Sequence, residues 1–311
     1  MNRNLPPYYL LSPEVAKARV ANHPLVALES AVITHGLPFP ENLFIAKAME
    51  EEVRGQGAVP IILAVIDGKL CLGLTEIQLD RLVHGKGLMK ISSRDLATAI
   101  VQGQTGGTTV AGTMVGAYKA GIQVFATGGI GGVHRQLSRE HGTSNDISAD
   151  LMQLAHTPMI VVCAGAKAIL DLPATLEALE TLEVPVIGYQ SSDFPAFYSR
   201  SSGLKTSSQA DSPEQVVEIA RKHWELGTES AVLVTVPPDE KSALPFAEVD
   251  KIIQEALEVA QAEGVHGQAV TPLLLAKVAS LSQGKTLRTN LALLQNNARV
   301  AGMIARAFTP A

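Results

Sequence analysis

The chain has 311 residues, enough to bury a large core, and 46% are hydrophobic against 18% charged, which excludes an extended disordered protein. Its formal net charge is −5 with Lys and Arg scattered rather than gathered in a stripe, so a nucleic-acid polymer is excluded as an expected partner. The polar N-terminus lacks a hydrophobic signal core, no apolar run matches a bilayer, and Cys71 and Cys163 read as buried thiols, so a cytosolic protein without membrane contact is expected.

Strand-like and helix-like segments alternate along the chain. The first apolar strand covers 24–28 and runs into Glu29. Residues 41–54 fit a helix, with Phe44, Ala48, Met49 and Val53 on one face. Residues 59–66 read as a strand that Asp67-Gly68 turns into a second strand over 69–72, a hairpin. Thr75 with Gln78 makes a capping box. A short strand at 90–92 is followed by a helix through Ile100, and 108–119 looks helical up to Gly121. Residues 122–126 form a strand that enters the run Gly128-Gly129-Ile130-Gly131-Gly132. Residues 147–155 read as a helix with Asp146 as its N-cap, 159–163 as a buried strand, and 166–170 as the start of another helix.

The second half repeats the rhythm. Strands are expected over 184–188 and 231–236. Ser212-Pro213-Glu214-Gln215 starts a helix that ends at Gly227. Helices follow over 246–263, from Thr271-Pro272, and over 286–308. The alternation predicts an α/β fold in three α/β/α layers, with a central, largely parallel sheet made mixed by the hairpin. No linker or repeat divides the chain, so 1–311 reads as a single domain.

In such sheets ligands collect beyond the carboxyl ends of the strands. Glu29 and Ser30 stand at one end, Lys90 at another, the glycine run with His134 and Arg135 at a third, and Gly165 with Lys167 at a fourth. Lys167 is the one charge in an apolar stretch. Burial disfavours an ammonium and frees the amine as a nucleophile, whereas a lysine in a first helical turn can also snorkel to solvent. A carboxyl at Glu29 suits a general acid or base, or a cap. Asp146 and Asp150, four apart, would share a helix face and offer oxygen ligands to a hard divalent ion. The segment Thr105–Thr109 can cradle an anion or cap the next helix. The histidines at 134 and 141 flank a polar loop. Asn296-Asn297 is unusual in a helix and can serve a ligand or interhelical contacts. Residues 194–198, Phe-Pro-Ala-Phe-Tyr, can pack or wall a pocket.

Several stretches resemble the pseudouridine-5′-phosphate glycosidases, also called indigoidine-synthase-A-like proteins. They are VALES at 26–30, THGLPFP at 34–40, TTVAGTM at 108–114, FATGGIGGVHR at 125–135, DISADL at 146–151, and VCAGAK at 162–167. The series continues with VPVIGY at 184–189, FPAFYSR at 194–200, TNLA at 289–292 and NNA at 296–298, in the family's order over nearly the whole chain. The resemblance implies a lysine nucleophile at Lys167 and a proton donor at Glu29. It implies a divalent ion, usually Mn²⁺, on Asp146. Substrate contacts fall at Lys90, Val110, Ser148, Ala149, Asp150 and Asn290. It also implies a homotrimer and reversible cleavage of pseudouridine 5′-phosphate into uracil and ribose 5-phosphate.

The chain departs from the family pattern in the loop between Arg135 and Asp146, which is longer, at Ala31, where threonine is common, and at 235–238. None of these removes Glu29, Asp146 or Lys167. Other readings of the same residues are an N-glycosidase that does not need Lys167, and a sugar-phosphate-binding module without turnover. A dinucleotide-dependent oxidoreductase is a third, but the G-x-G-x-x-G spacing is not met.

Overall fold

A computed structural model describes residues 5–135, 146–263 and 270–309. Its centre is a mixed sheet. Strands β1 (Tyr9–Leu11), β2 (Leu25–Leu28), β3 (Val59–Ile66), β4 (Lys69–Leu72), β5 (Met89–Ile91) and β6 (Gly106–Thr108) come from the first third of the chain. Strands β7 (Val124–Ala126), β8 (Ile160–Cys163), β9 (Val186–Tyr189), β10 (Ser208–Ala210) and β11 (Val232–Thr235) complete it. The order is β1-β4-β3-β2-β7-β8-β11-β9-β10, with β6 pairing β3 and β5 pairing β6. The run from β3 through β2 to β10 is parallel throughout; β4 and β6 lie antiparallel to β3. The hairpin at Asp67-Gly68 is present, and both turn residues have positive φ, 48° and 73°, as a tight two-residue turn requires.

The helices are α1 (Pro13–Val20), α2 (Glu41–Gly55), α3 (Glu76–His84), α4 (Leu96–Val101), α5 (Val110–Lys119) and α6 (Ala149–Ala155). They continue with α7 (Leu172–Thr181), α8 (Pro213–Glu225), α9 (Phe246–Ala262), α10 (Val270–Leu281) and α11 (Lys285–Phe308). Helix α11 rests on β2, β7 and β8 beside α2 and α8, while α5 and α6 pack together in a second layer. The central strands β2, β3, β7, β8, β9 and β11 are buried almost without interruption, as a sheet covered on both faces requires. The expected capping box of α3 is formed in both directions, and Ser212 caps α8 ahead of Pro213. Cys71 and Cys163 are free and buried, and burial pushes the Cys163 thiol up to about 12, so neither is a ready nucleophile. Among the described residues no helix is long and apolar enough to cross a membrane.

Two expectations are corrected. Residues 166–170 do not start a helix. Gly165 takes φ +84°, Ala166 bridges Ile130, Leu170 bridges His134, and α7 begins only at Leu172 with Asp171 as its cap. The segment is drawn out along the glycine run because both strands end there and their backbone groups need partners. Asp146 is likewise not an N-cap. Ser148 caps α6, and Asp146 lies in extended chain, so Asp146 and Asp150 do not share a helix face.

Candidate active site

Strand register assembles the site. Leu28 pairs with Ala126, and Ala126 with Val162, so the next residues along, Glu29 and Thr127, leave adjacent parallel strands side by side. From β2 the chain continues to β3 on one flank, whereas β7, β8 and β11 lie on the other. The gap between β2 and β7 is thus a topological switch point, where open α/β sheets bind ligands. An open cavity sits there. Glu29, Lys90, Lys167 and Asn290 all line it, from four separate parts of the chain. His35, Phe197, Leu275 and Leu294 add walls, and Gly128-Gly129 forms part of the floor.

Glu29 is only 7% exposed and accepts a hydrogen bond from the Thr127 hydroxyl. Burial pushes its carboxyl above the ordinary carboxylate range. The charges of Lys167 and Lys90 and the Thr127 bond oppose this, and Asp150 reinforces it. A carboxyl so placed keeps its proton at higher pH than a solvated one, which is what a proton donor near neutrality needs. Lys90 is half-buried, and burial, aided by the neighbouring Lys167, lowers its ammonium from the ordinary lysine value. Lys167 is half-buried, and its N–H donates to the Ile130 carbonyl, which holds the residue where the β8 segment passes the glycine run.

The turn after Glu29 is tightly built. Ser30 donates to the Leu63 carbonyl and accepts from the Thr108 N–H, which fixes the strand end to both β3 and β6. Residues Val32–Gly36 then form one π-helical turn, a form frequent at functional sites. The turn presses on β6 so closely that a Cβ at Gly107 would lie 2.3 Å from Thr34 Oγ1, which explains the glycine. His35 accepts from Thr34 at Nδ1 (2.6 Å) and donates from Nε2 to the Leu88 carbonyl (3.1 Å), two residues before Lys90. Burial lowers its pKa, so it stands as a neutral link between the Glu29 turn and the strand that carries Lys90.

The remaining sequence candidates lie around this cavity rather than in its lining. Asp150 is buried, and its carboxylate accepts from the Ala111 N–H (3.0 Å) and the Gly131 N–H (2.9 Å), clamping the start of α5 to the glycine run. Val110 is the buried first residue of α5, Ser148 caps α6, and Ala149 is its exposed first residue. Asp146 is exposed and stays beside His134, whose N–H donates to the Asp146 carbonyl. Arg135 does not enter the cavity. It donates to the Ala168 and Leu170 carbonyls and to Asp250, pinning the turn that follows Lys167. Thr105 bonds Asp67, Thr109 caps α5, and so neither end of that candidate anion cradle faces the cavity lining. His141 lies outside the described residues.

Sequence reasoning missed Thr127 and His35, and it singled out Asn297 for a ligand or interhelical contacts, whereas the structure turns its amide to backbone carbonyls. Asn297 Nδ2 donates to the carbonyls of Thr127 (2.8 Å) and Gly128 (3.3 Å). The signal for Thr127 was available in principle: matching the ends of two neighbouring parallel strands would have placed it beside Glu29. Of the 194–198 segment, Phe197 does wall the cavity; a Cβ at Gly129 would meet its ring at 2.6 Å.

The family model described as indigoidine synthase A like protein matches residues 14–307. A pseudouridine-5′-phosphate glycosidase of Myxococcus xanthus is 51% identical over 301 residues, covering 96% of this chain and 98% of that one. Its counterpart from Solibacter usitatus is 48% identical over 295 residues, covering 95% and 97%. Among solved structures, the prealnumycin C-glycosynthase AlnA in complex with ribulose 5-phosphate superposes with a TM-score of 0.89 at 41% identity over 98% of both chains. An indigoidine synthase A-like protein of Thermotoga maritima gives 0.86 at 32% identity, again over 98% of both.

Proposed function

This chain belongs to the indigoidine synthase A-like family, and on that premise we propose that it is a pseudouridine-5′-phosphate glycosidase. It cleaves the carbon–carbon bond of pseudouridine 5′-phosphate, reversibly, to uracil and ribose 5-phosphate. The observation that carries this reading is the convergence of an amine, Lys167, and a protonatable buried carboxyl, Glu29, on one cavity beside a second cation, Lys90.

An ordinary glycosidase uses two carboxylates and expels a heteroatom. Here the leaving atom is a uracil carbon, which departs only if it is protonated and if electrons are pushed from the sugar. Lys167 Nζ attacks C1′, and the C1′–O4′ bond breaks with its electron pair on O4′, which takes up a proton. The nitrogen at C1′ can then donate its lone pair. Glu29 delivers a proton to the uracil carbon. The C1′–C bond pair returns to the base, and an iminium remains on Lys167. Water adds to the iminium and frees ribose 5-phosphate, restoring the amine. Lys90 binds and orients substrate beside both groups, and Asn290 offers an amide to it. The complex of AlnA with ribulose 5-phosphate supports a sugar phosphate as the occupant of such a site.

Asp146 is the residue that would hold the Mn²⁺ ion, one per subunit, that the family resemblance implies. Among the described residues no three His, Cys, Asp or Glu side chains gather as a metal cluster. A single exposed carboxylate nevertheless fits a hard ion that keeps most of its waters and is completed by a substrate phosphate. Such an ion supplies positive charge that orients water and phosphate. The family resemblance supports a cytosolic homotrimer in which the whole chain acts as one domain, Val110 and Ser148–Asp150 standing beside the bound substrate.

Incubation with pseudouridine 5′-phosphate and Mn²⁺ should release free uracil and ribose 5-phosphate in equal amounts by mass analysis; absence of both would overturn the reading. For the metal, the spin-resonance signal of free aqueous Mn²⁺ should weaken on adding the protein and not on adding Asp146→Asn. Chelation should remove turnover, and Mn²⁺ should restore it. Equal binding by the variant, or full turnover after exhaustive chelation, would remove Asp146 from this role.

A further inference from the structure

The last helix reaches the site twice. Asn290, Leu294 and Asn297, spaced by four and three, fall on one face of α11. Asn290 and Leu294 line the cavity, whereas Asn297 is 1% exposed and lies behind it. Asparagine is a poor residue for a helix interior, so its presence there calls for a use. Its amide nitrogen donates into the β7 exit, to the Thr127 and Gly128 carbonyls. Its own Oδ1 takes no hydrogen bond from the described residues, so the amide is held through its donors alone. The opposite amide orientation would set oxygen against two carbonyl oxygens.

Thr127 leaves the sheet at this point. Its N–H is still paired to the Val162 carbonyl, but its own carbonyl has passed the end of the ladder. Asn297 supplies the missing donor, and with it fixes the peptide plane between Thr127 and Gly128. That plane fixes the backbone from which the Thr127 side chain leaves, and its hydroxyl donates to Glu29. Leu294, one turn earlier, presses on Gly128 so closely that a Cβ there would sit 3.1 Å from its methyl.

We propose that Asn297 is a positioning residue for the proton donor: its amide pins the Thr127–Gly128 turn so that the Thr127 hydroxyl stays directed at the Glu29 carboxyl. This rests on the reading of Glu29 given above. Asn297 touches neither substrate space nor Glu29 itself; it acts through Thr127. A hydrogen bond to a carboxylate favours the charged form, so losing the Thr127 bond raises the titration of Glu29 further. The other groups facing Glu29 are Lys167, Lys90 and Asp150, with His35 on the same cavity wall. None of them bonds to Asn297, so their influence stays when it is changed.

The test uses Asn297→Ala and Asn297→Ser, both neutral, so neither adds a charge beside Glu29. The full-length protein is followed by infrared spectroscopy against pH, without substrate, at the carboxylic C=O band that Glu29→Gln removes. The midpoint of that band should move up by about half a pH unit or more in both variants. In a Thr127→Val background the same changes should move it no further, because the bond they act through is already gone. With substrate, kcat should fall about tenfold while KM stays within about twofold, as for an interaction that matters only in the transition state. An unmoved midpoint in a folded variant overturns the proposal, and so does an undiminished shift in the Thr127→Val background. Failure of both variants to fold overturns it too, since Asn297 would then hold the fold and not the donor. The infrared arm needs no turnover. A shifted band in a protein that releases no uracil would therefore defeat the proposed reaction and leave the Asn297–Thr127–Glu29 linkage standing.

Discussion

Lys167→Ala is expected to lose uracil release from pseudouridine 5′-phosphate by roughly 10⁴-fold or more, because the covalent step is lost with the amine that makes it. The geometry makes this a clean experiment. Lys167 contributes a half-buried side chain to the cavity, whereas its backbone N–H, bonded to Ile130, is unaffected by the change. Arg135 holds the turn that follows, through the Ala168 and Leu170 carbonyls, independently of the lysine side chain. The variant should therefore melt within a few degrees of the parent, a loss of about 1 kcal/mol or less. Borohydride added during turnover should trap ribose phosphate on Lys167 in the parent and nothing in the variant, read by peptide mass. Near-normal uracil release by a folded Lys167→Ala protein would return the site to a hydrolase in which water attacks the sugar directly.

The parts of the fold legible in the sequence are those that local chemistry dictates. The Thr75–Gln78 capping box, the Ser212-Pro213 helix start and the Asp67-Gly68 turn each satisfy backbone groups with neighbours in sequence, and all three are as read. The three-residue strands β1, β6 and β10 were not legible. A strand such as Gly106-Gly107-Thr108 has no propensity of its own and exists because β3 and β5 offer it partners. Reading 166–170 as a helix start failed for the same reason. Ala-Lys-Ala-Ile-Leu is a good helical string, but the chain of the glycine run and the residues after it lie alongside, with Ile130 pairing Ala166 and His134 pairing Leu170.

The site divides in the same way. Glu29, Lys90, Lys167 and Asn290 could be named because each carries a group able to act by itself, and the structure brings these four to one cavity. What their helpers do could not be read from spacing. Thr127 matters only because Leu28 pairs with Ala126, and Asn297 only because α11 lies over the ends of β2 and β7. Asp150 went the other way. It was grouped with Asp146 as a possible ligand, yet the structure spends both its oxygens on backbone N–H groups of α5 and the glycine run. An anion so used ties the start of α5 to the glycine run.

Glu29→Gln is expected to lower kcat about 10³-fold, the usual scale for a missing general acid, with KM little changed. Glutamine keeps the shape and can still accept from Thr127, so the loss reports the proton alone. The pH dependence then has a definite sign. In the parent, turnover needs Glu29 protonated and should fall as pH rises through its raised titration; the variant's residual rate should lack that limb. Stability follows the same ionisation. Folded Glu29 holds its proton more tightly than it does in the unfolded chain. Its favourable contribution is complete below the ordinary carboxylate value and is lost as pH rises to the raised one, where folding must bury a charge. Glutamine carries no such charge, so Glu29→Gln should gain melting temperature on the parent as pH rises across that window and hold the gain above it. Parallel melting curves for the two proteins at every pH, or a variant that keeps the alkaline limb of turnover, would place the proton on another group, with Lys90 next to be tested because it titrates in the same cavity, away from its ordinary value.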